Sequence, residues 1–569
     1  MKKRHALLLL PAIANLLYMH YSFYYTDLLE WTLKCSMVVN LFSVFFDVFI
    51  LLFFFSLITN GRVKTTQLLT FVITLLWSFV NVFYGRFFYH YMSLSAIGAA
   101  GGLQDSFVID SILTGFRWSD LFYVLSIAGF ILLYIKTPKL KVSLRTTLGL
   151  LIVPLCSLLL AIAAYSAYHF MHPEFRGNWK LYGLRLQELL YDANRGGTPN
   201  LSRFHIGSVR IVMYELADMC LKKELTPEER TEIRNYYQDK SMRVSHHERN
   251  PEIRNVVFIL LESMLSDPID KQIDGKEVTP FLNSLKRDST VFYNGCVLSD
   301  ITCGESGDGQ FIYMNGLLPL QQKMTVGQVK DNSLPALPKL LTEQLDIKHT
   351  EIVFPTAPNL WQQSDMNRAY GISTAYSLED ITRGKTGRIN DQMIFDFAAQ
   401  TLNPSNQPFF SLILSISGHE PYSEAVGDFV FKDSQYPQEY LNYLSTCHFT
   451  DLQVQKYVEA LKKQNLYDNT LIIITADHFA HVDAMGMVGK VKSDIPLFVI
   501  HGNIDNEQAW HGEMHQLDVY TTLLDVLGID SEWRGLGHTV LLPHYQNSVD
   551  SHAYELSRLI IEGDYFGNH

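Results

Sequence analysis

The stretch NVVFILLES, residues 255–263, decides the fold, and a second stretch of the same kind, LIIITADH, follows at residues 471–478. Each contains an unbroken apolar run rich in valine or isoleucine, which is typical of a strand buried on both faces of a parallel sheet. Each run ends in residues that bind hard cations, Glu262 in the first and Asp477 with His478 in the second. Because the carboxyl ends of such strands meet at one sheet edge, we expect these side chains to form a metal site.

The rest of the C-terminal half alternates between short apolar strands and amphipathic helical stretches. We predict strands at 255–261, 410–417, 471–475 and 496–500, and helices at 279–287, 449–464 and 516–528. Alternation of this kind predicts an α/β domain with a mostly parallel sheet. We therefore place one large α/β domain in residues 251–569.

The N-terminal part of the chain is strongly apolar. A helix needs about 20 residues to cross a hydrocarbon layer of about 30 Å. Five segments meet this length: 5–22, 36–58, 66–86, 118–135 and 146–168. We predict a polytopic α-helical membrane domain with five transmembrane helices over 1–169, and a helical connector over 170–250. Residues 179–194 of the connector suit a helix at the membrane surface, with a helix packed on the soluble domain as the alternative.

Basic residues in the short loops predict the orientation of the membrane domain. They lie before the first predicted span, between the second and third, and between the fourth and fifth: Lys2, Lys3, Arg4, Arg62, Lys64, Lys136, Lys139, Lys141 and Arg145. Positively charged loops stay in the cytoplasm. With an odd number of spans, the C-terminal domain is then expected on the other side of the membrane.

Charge and cysteine content exclude some classes of protein. The formal net charge of −12 leaves no broad basic surface, so we do not expect a nucleic-acid partner. Six cysteines are too few for a disulfide scaffold, although Cys296 and Cys303 are near enough in sequence to pair.

We expect a nucleophilic hydroxyl in the loop SDITCGESGDGQF, residues 299–311. Its glycines let the backbone approach a ligand closely, and a helix N-terminus after the loop would offer amide donors to a phosphate. Ser306 in this loop could be activated by the cation that Glu262 binds. Thr302 is a competing hydroxyl, and Glu305 is either a capping residue or a support for the site.

Four segments, NVVFILLES, GESGDGQF, SGHEPY and TADH, together with the apolar N-terminal half, resemble the lipoteichoic acid synthase family of the sulfatase and alkaline-phosphatase superfamily. The resemblance implies one divalent metal ion, manganese or magnesium with zinc as a further option, bound by Glu262, Ser306, Asp477 and His478. It also implies that Ser306 is the nucleophile, where the family more often has threonine. It further implies a multi-pass protein of the bacterial cytoplasmic (inner) membrane with an extracellular or periplasmic catalytic domain.

The resemblance also implies residues that bind substrate. His419 in SGHEPY corresponds to a histidine that contacts the phosphate and protonates the leaving oxygen, and Trp361 to a tryptophan that lines the head-group pocket. Arg368 is a candidate for the cation that the family has two residues after this tryptophan. The family's His, Asp and Arg around the tryptophan are replaced here by Phe354, Thr356 and Gln363, which leaves the head group open.

The leading hypothesis is transfer of a phosphoglycerol head group from phosphatidylglycerol to an extracytoplasmic glycan or glycolipid acceptor, through a phosphoseryl intermediate. Phosphoethanolamine transfer from phosphatidylethanolamine is the nearest alternative, and a sulfatase-like phosphodiesterase or hydrolase is another. A sulfatase needs the motif C/S-x-P-x-R, whose Pro and Arg are missing after both Cys303 and Ser306. A membrane sensor with a degenerate hydrolase domain would require incomplete metal ligands.

Three further histidines have less specific surroundings. His511 and His515 resemble positions near the site in related hydrolases, and we favour structural roles for both. His481 follows His478 by three residues, and we expect it to be solvated.

Overall fold

The structure is a computed structural model that describes residues 3–22, 33–88, 91–94, 96, 116–171, 207–220, 224–321, 323–384 and 388–567. The chain divides into two compact units, one formed mainly by residues 1–97 and 106–222 and the other mainly by residues 223–320 and 324–569. The predicted surface helix at 179–194 lies outside the described residues. The boundaries predicted at residues 169 and 250 stay predictions.

The first unit is helical. Its described helices are Lys3–Leu7, Leu10–Ser22, Leu33–Ile58, Val63–Phe88, Leu121–Lys136, Leu144–Gly149, Ile152–Met171 and Ser208–Cys220, with a 3-10 turn at Trp118–Asp120. Four segments of the described residues are long and apolar enough to cross a membrane: Val39–Ile58, Val63–Arg86, Trp118–Lys136 and Leu144–Ala161. They correspond to the second to fifth predicted spans.

The predicted span at 5–22 is divided into two short helices. They have 5 and 13 residues, Lys3–Leu7 and Leu10–Ser22. Proline has no backbone N–H and clashes with the preceding turn, so it is tolerated at the start of a helix but not inside one. Pro11 therefore explains why this apolar segment does not form one continuous helix.

The surface of the first unit is apolar where that of a soluble protein would be polar. On the helix Leu121–Lys136, Val124, Leu125, Leu132 and Ile135 are each at least 59% exposed. Inside the unit, both terminal nitrogens of Arg86 donate to the Asp120 carboxylate, at 2.7 and 2.6 Å. Apolar side chains outside and paired charges inside suit a hydrocarbon environment.

The second unit contains an eight-stranded sheet. In chain order its strands are β1 Asn255–Leu261, β2 Phe292–Leu298, β3 His349–Val353, β4 Thr374–Tyr376, β5 Phe409–Leu414, β6 Thr470–Ala476, β7 Ile495–Ile500 and β8 Met514–His515. Their order across the sheet is β8-β2-β7-β6-β1-β5-β3-β4. A two-stranded hairpin, Gln272–Ile273 with Lys276–Glu277, lies apart from it.

The central strands are parallel, as predicted. β1 pairs in parallel with both β5 and β6, and β7 alone in the sheet runs antiparallel to its neighbours β6 and β2. Every residue of β1, β5, β6 and β7 is buried. Because alternate side chains of a strand point to opposite faces, this burial shows that both faces of the central sheet are covered.

Helices connect and cover the strands. The described helices of this unit are Pro227–Gln238, Pro280–Arg287, Ser306–Asn315, Val326–Val329, Leu337–Leu345, Gln363–Tyr370, Leu378–Thr382, Asp391–Thr401, Gln438–Lys463, Gln516–Val526 and Ser551–Glu562, with 3-10 turns at Leu360–Gln362 and Pro404–Asn406. The helix predicted at 449–464 is longer than expected, because it begins at Gln438. The helix Ser306–Asn315 packs against Gln516–Val526.

The cysteines of the second unit do not form a disulfide in the described part of the chain. Cys303 and Cys447 are buried and Cys296 is partly exposed, and none of the three is part of a disulfide. The pairing of Cys296 with Cys303 that their sequence spacing allowed is therefore absent.

Candidate metal site and nucleophile

The pairing of β1 with β6 brings the predicted metal ligands together. Leu261, the last residue of β1, is in register with Ala476, the last residue of β6. Glu262 and Asp477 therefore leave two adjacent parallel strands at the same edge of the sheet. The backbone amide of Asp477 donates to the carbonyl of Leu261 at 3.2 Å, which keeps the two strand ends together.

Glu262, Asp477 and His478 converge around a space that suits one cation. One ligand atom from each lies within 4.8 Å of the others, and all three residues are buried. The Nε2 atom of His478 is 3.4 Å from Oε1 of Glu262 and 3.6 Å from Oδ2 of Asp477. Its Nδ1 donates to the Phe479 carbonyl at 2.8 Å, so Nε2 is the nitrogen that faces the two carboxylates.

Ser306 adds a hydroxyl to this cluster. Its Oγ lies 3.3 Å from Oε2 of Glu262 and 3.2 Å from Nε2 of His478. Thr302, the competing hydroxyl, bonds instead to the Asp308 carboxylate at 3.0 Å and to the Leu320 carbonyl at 2.7 Å. The geometry therefore favours Ser306 over Thr302 as the reactive hydroxyl.

Two glycines allow the surrounding loops to approach the ligands. A Cβ atom on Gly309, in the helix that begins at Ser306, would lie 2.1 Å from the carbonyl oxygen of Asp477. A Cβ atom on Gly418 would lie 2.0 Å from the carbonyl oxygen of Glu262. Real side chains do not fit at such distances, so both contacts require glycine.

The site attracts positive charge. Burial and the neighbouring Glu262 carboxylate raise the pKa of Asp477 to about 7. Burial opposes charge on His478, but Asp477 and Glu262 outweigh this effect and raise its pKa well above the ordinary value. Burial also acts against charge on Glu262, yet its hydrogen bond with His478 lowers its pKa to about 2. In the described part of the chain, neither carboxylate pairs with lysine or arginine.

The donor set fits a divalent cation. The possible ligands are two carboxylates, one imidazole nitrogen and one hydroxyl. Oxygen and nitrogen ligands of this kind suit Mg²⁺, Mn²⁺ or Zn²⁺. A divalent ion would supply the positive charge that the two buried carboxylates otherwise take from a protonated His478. The residues present therefore fit the predicted metal.

His419 lies beside this site. It follows Gly418, which packs on the Glu262 carbonyl, and its charge helps to lower the pKa of Glu262. Its Nδ1 contacts the carbonyl oxygen of Glu420 at 2.6 Å. The role of His419 toward phosphate and leaving group stays a prediction.

The predicted head-group residues lie on one segment. Trp361 belongs to the 3-10 turn Leu360–Gln362 and has a left-handed backbone with φ 52°. The following Gln363 is buried and donates to Oε1 of Gln310 at 3.0 Å, which ties the segment to the helix of Ser306. Arg368 is exposed and pairs with Asp365 of its own helix at 2.5 Å. The substrate contacts of Trp361 and Arg368 stay predictions.

The structure adds two residues next to the nucleophile. Glu305 precedes Ser306, and its Oε2 lies 3.9 Å from Nδ1 of His478 and 3.9 Å from Nε2 of His481. The expectation that His481 is solvated is wrong, because the chain after His478 folds beside Glu305 and leaves the His481 side chain 16% exposed. Only the sequence position of Glu305 next to Ser306 signalled this pair.

Gln516 is a third addition, and it holds the strand end that carries Asp477 and His478. Its amide nitrogen donates to the Asp477 carbonyl at 2.7 Å, and its Oε1 accepts from the backbone amide of Asp300 at 2.8 Å. No sequence pattern marked this residue. The amide fixes the end of β6 relative to the loop that leads to Ser306.

The two remaining histidines have structural contacts. His515 Nδ1 donates to Oδ1 of Asp300 at 2.6 Å. The ring nitrogens of His511 contact the carbonyl oxygens of Tyr293 and Asn506, both at 2.9 Å. Neither residue belongs to the group that could bind the metal ion.

Comparisons with known proteins agree with this architecture. A family model described as Sulfatase matches residues 254–529. The chain is 28% identical over 516 residues to lipoteichoic acid synthase 2 of Bacillus subtilis (strain 168), covering 84% of this chain and 74% of that protein. It is 25% identical over 501 residues to lipoteichoic acid synthase of Staphylococcus aureus (strain NCTC 8325 / PS 47), covering 82% and 72%.

A solved structure shares the fold of nearly the whole chain. The integral membrane protein lipooligosaccharide phosphoethanolamine transferase A from Neisseria meningitidis matches with a TM-score of 0.54 at 13% identity, covering 95% of this chain and 98% of that one. An apolar helical region followed by an α/β domain is therefore an arrangement found in a known membrane enzyme. Residues 254–529 form a sulfatase-family domain, and the chain is homologous to the lipoteichoic acid synthases over most of its length.

Proposed function

We propose that this protein transfers a phosphoglycerol head group from phosphatidylglycerol to an extracytoplasmic glycan or glycolipid acceptor. The observation that carries the proposal is the position of Ser306, whose Oγ lies within 3.3 Å of two of the three residues that could bind a metal ion. The homologous lipoteichoic acid synthases support phospho-head-group transfer as the reaction class.

The apolar helices fit such a substrate. Four segments of the described residues could cross a membrane, and a lipid donor is itself confined to the bilayer. Together with the basic loops of the N-terminal half, they support a protein of the bacterial cytoplasmic membrane. In this proposal the divided segment at 5–22 is the fifth crossing, so that the catalytic unit lies on the outer side of the membrane.

In the first step, Ser306 Oγ attacks the phosphorus of the donor. The Ser306 hydroxyl donates to Oε2 of Glu262, and in this proposal Glu262 receives its proton. A bond forms between Oγ and phosphorus while the bond from phosphorus to the diacylglycerol oxygen breaks. That oxygen takes up a proton, which we assign to His419, and diacylglycerol leaves.

In the second step, a hydroxyl of the acceptor attacks the same phosphorus. The bond between phosphorus and Ser306 Oγ breaks, Oγ takes back the proton held by Glu262, and the phosphoglycerol unit is now attached to the acceptor. His419 then accepts the proton of the attacking hydroxyl. A divalent cation bound by Glu262, Asp477 and His478 would withdraw charge from the phosphoryl oxygens and favour the ionised form of the Ser306 hydroxyl.

Phosphoethanolamine transfer is the second candidate. Phe354, Thr356 and Gln363 stand at the positions where the resembling family has His, Asp and Arg. The amide nitrogen of Gln363 donates to Gln310. The charged and polar side chains expected of a phosphoglycerol pocket are therefore replaced at these three positions. The sensor hypothesis has less support, because the metal-binding group and the hydroxyl are all present in one cluster.

Mass spectrometry tests the covalent step. The full-length protein in detergent is incubated with phosphatidylglycerol or phosphatidylethanolamine and Mn²⁺, and the peptide containing Ser306 is examined for an added phosphoglycerol or phosphoethanolamine unit. We expect the adduct in the wild type and in Ser306→Thr, and none in Ser306→Ala. Thr302→Val is the matched control and should keep the adduct. An unmodified Ser306 together with an active Ser306→Ala variant would refute the mechanism.

A further inference from the structure

We propose that the basic loops at one end of the first unit form a single site that binds the head group of an anionic phospholipid. The site, which we call the basic platform, consists of residues 4–5, 60–64 and 136–145. Because positively charged loops stay in the cytoplasm, the lipid that it binds belongs to the cytoplasmic leaflet. The basic platform shares no residue with the cluster around Ser306.

Backbone contacts join the second and third segments of the basic platform. Arg62 forms an isolated antiparallel bridge with Lys141. The backbone amide of Val142 donates to the carbonyl of Gly61 at 2.9 Å. Two loops that are distant in the sequence are therefore held together as one surface.

The first segment is attached to the third by side chains. Nη1 of Arg4 donates to the carbonyl of Lys136 at 3.1 Å, and Nε2 of His5 contacts the carbonyl oxygen of Pro138 at 3.1 Å. The amide nitrogen of Gln67 donates to the His5 carbonyl at 2.6 Å, which fixes the first segment from the other side. All three segments therefore belong to one structure.

The basic platform has positive charge without carboxylates to balance it. It contains seven lysines and arginines, and in the described residues no ion pair joins any of the seven to a carboxylate. No Asp or Glu occurs in the stretches of sequence around its segments, which are residues 1–26, 48–104 and 121–173. Arg86 of the same unit differs, because it is paired with Asp120.

The cations are accessible, and two of them are held directly opposite each other. Six of the seven are exposed, and the seventh, Lys64, is half-buried with its Nζ 4.2 Å from the centre of the Tyr134 ring. Like charges that face each other across paired strands are destabilising, and the bridge puts Arg62 opposite Lys141. A bound anion would relieve this repulsion, so the basic platform is complementary to a phosphate group.

Apolar side chains beside the cations favour a lipid over a soluble anion. Ile58, Ile135 and Leu144 lie at the helix ends that flank the basic loops, and they are 74%, 71% and 64% exposed. An anionic phospholipid offers a phosphate to the cations and acyl chains to these side chains. Each lysine or arginine near a membrane surface adds to the attraction for such lipids.

Native mass spectrometry of the full-length protein in detergent measures the binding of single lipid molecules. The probes are phosphatidylserine, which is anionic, and phosphatidylcholine with the same acyl chains, which is zwitterionic. We expect the wild type to bind phosphatidylserine at least about tenfold more tightly than phosphatidylcholine. The double variant Arg62→Gln/Lys141→Gln should weaken phosphatidylserine binding by about tenfold or more and change phosphatidylcholine binding by less than about twofold.

A matched control removes the same charge from the second unit. Lys432 and Lys463 are both exposed, and Lys432→Gln/Lys463→Gln should leave phosphatidylserine binding within about twofold of wild type. Equal losses in the two double variants would show that net charge attracts the lipid and would overturn the proposal.

A further variant keeps every cation and changes only how the loops meet. Gly61 has φ 71°, and a Cβ atom there would lie 2.3 Å from the carbonyl oxygen of Val142. Gly61→Ala should therefore separate the two loops. We expect its phosphatidylserine binding to be weaker than that of the wild type, and unchanged binding by a folded variant would show that the loops do not form one site.

A soluble anion distinguishes a lipid site from a general phosphate site. Inorganic phosphate that binds the protein as tightly as phosphatidylserine, and that is lost in Arg62→Gln/Lys141→Gln, would contradict a lipid site. Melting temperatures show whether the variants are folded, and the double variant decides the matter if Gly61→Ala does not fold. The adduct on Ser306 tests the proposed function separately.

Discussion

Two of the buried clusters of histidine and carboxylate in the catalytic unit differ in how the carboxylate oxygens are used. In the cluster of Asp300 and His515, the imidazole donates to one oxygen of Asp300 and the backbone amide of Leu517 donates to the other, at 2.6 and 3.1 Å. In the metal site, one oxygen each of Glu262 and Asp477 faces His478 at 3.4 and 3.6 Å. The composition of the two clusters is similar, but only the second leaves two carboxylates to share one imidazole.

This difference teaches how to separate a structural cluster from a functional one. Where a carboxylate has one imidazole and a backbone amide as partners, its charge is neutralised and its hydrogen bonds are made. Where two carboxylates meet one imidazole and a hydroxyl, the surplus negative charge calls for a cation. Five predictions test the contrast.

The largest effect is expected for the metal ligands themselves. Asp477→Ala should lower the affinity for Mn²⁺ at least about a hundredfold, because one of the two carboxylate ligands is lost. Isothermal titration calorimetry on full-length protein in detergent measures this affinity. Asp300→Ala is the matched control, and equal losses in both variants would show that the contrast between the clusters is wrong.

The structural cluster should respond in stability instead. Asp300→Ala leaves His515 and the amide of Leu517 buried without a partner, and should lower the free energy of unfolding of the catalytic unit by about 3 kcal/mol. Urea denaturation followed by near-ultraviolet circular dichroism measures the change. Asp300→Asn, which keeps an acceptor oxygen, should lose clearly less, and equal losses would mean that hydrogen bonding is not the cause.

The metal affinity should depend on pH with a definite sign. The pKa of Asp477 is raised to about 7 and that of His478 is raised well above its ordinary value, so both hold protons that a metal ion must displace. We expect the Mn²⁺ affinity to rise from pH 6 to 8, by up to about tenfold per unit for each proton released.

The stability of the metal-free protein should fall as the pH rises, whereas the metal affinity rises. A group whose pKa is higher in the folded state contributes stability below its unfolded pKa, and this contribution is lost as the pH rises through the folded pKa. Asp477 therefore makes the metal-free catalytic unit less stable as the pH rises from about 4 to 7. Melting curves at several pH values, recorded with EDTA, would contradict this if the Asp477→Asn variant showed the same dependence.

The smallest effect is expected for Gln516, which supports the site without belonging to the metal-binding group. Gln516→Leu removes the bonds to the Asp477 carbonyl and the Asp300 amide, and should weaken Mn²⁺ binding by about tenfold. The same calorimetric titration measures it. Gln363→Leu is the control, because it also removes a buried amide, one that donates to Gln310. It should leave the metal affinity unchanged.

The sequence allowed prediction of the sheet edge that carries the ligands. Continuous apolar runs identified β1, β5, β6 and β7, and the residues after β1 and β6 meet as expected. The opposite direction of β7 was not predictable, because a fully buried strand has the same composition whichever way it runs. The strands β2, β3 and β4 were missed since their apolar runs are short or interrupted by polar residues such as Asn294.

The site was predictable only in part. Ligands that follow strong strand patterns could be assigned from sequence, and the Ser306 loop from its glycines. The contacts of Glu305 with His478 and His481, and those of Gln516, depend on how separate loops fold over one another, which no local pattern reports. The first predicted span is a different case. Pro11 marks the start of a new helix in the local sequence, but the prediction of the span used only the average hydrophobicity of the segment.

The contacts at Gly309 and Gly418 have a consequence for how such proteins diverge. Main chain touches main chain at both positions, so the spacing of the reactive groups is set by the backbone and not by the shapes of neighbouring side chains. Surrounding residues are then free to drift over evolution while the catalytic geometry persists. A side chain at either glycine would have no room and would force the two strand ends away from the loops that pack on them.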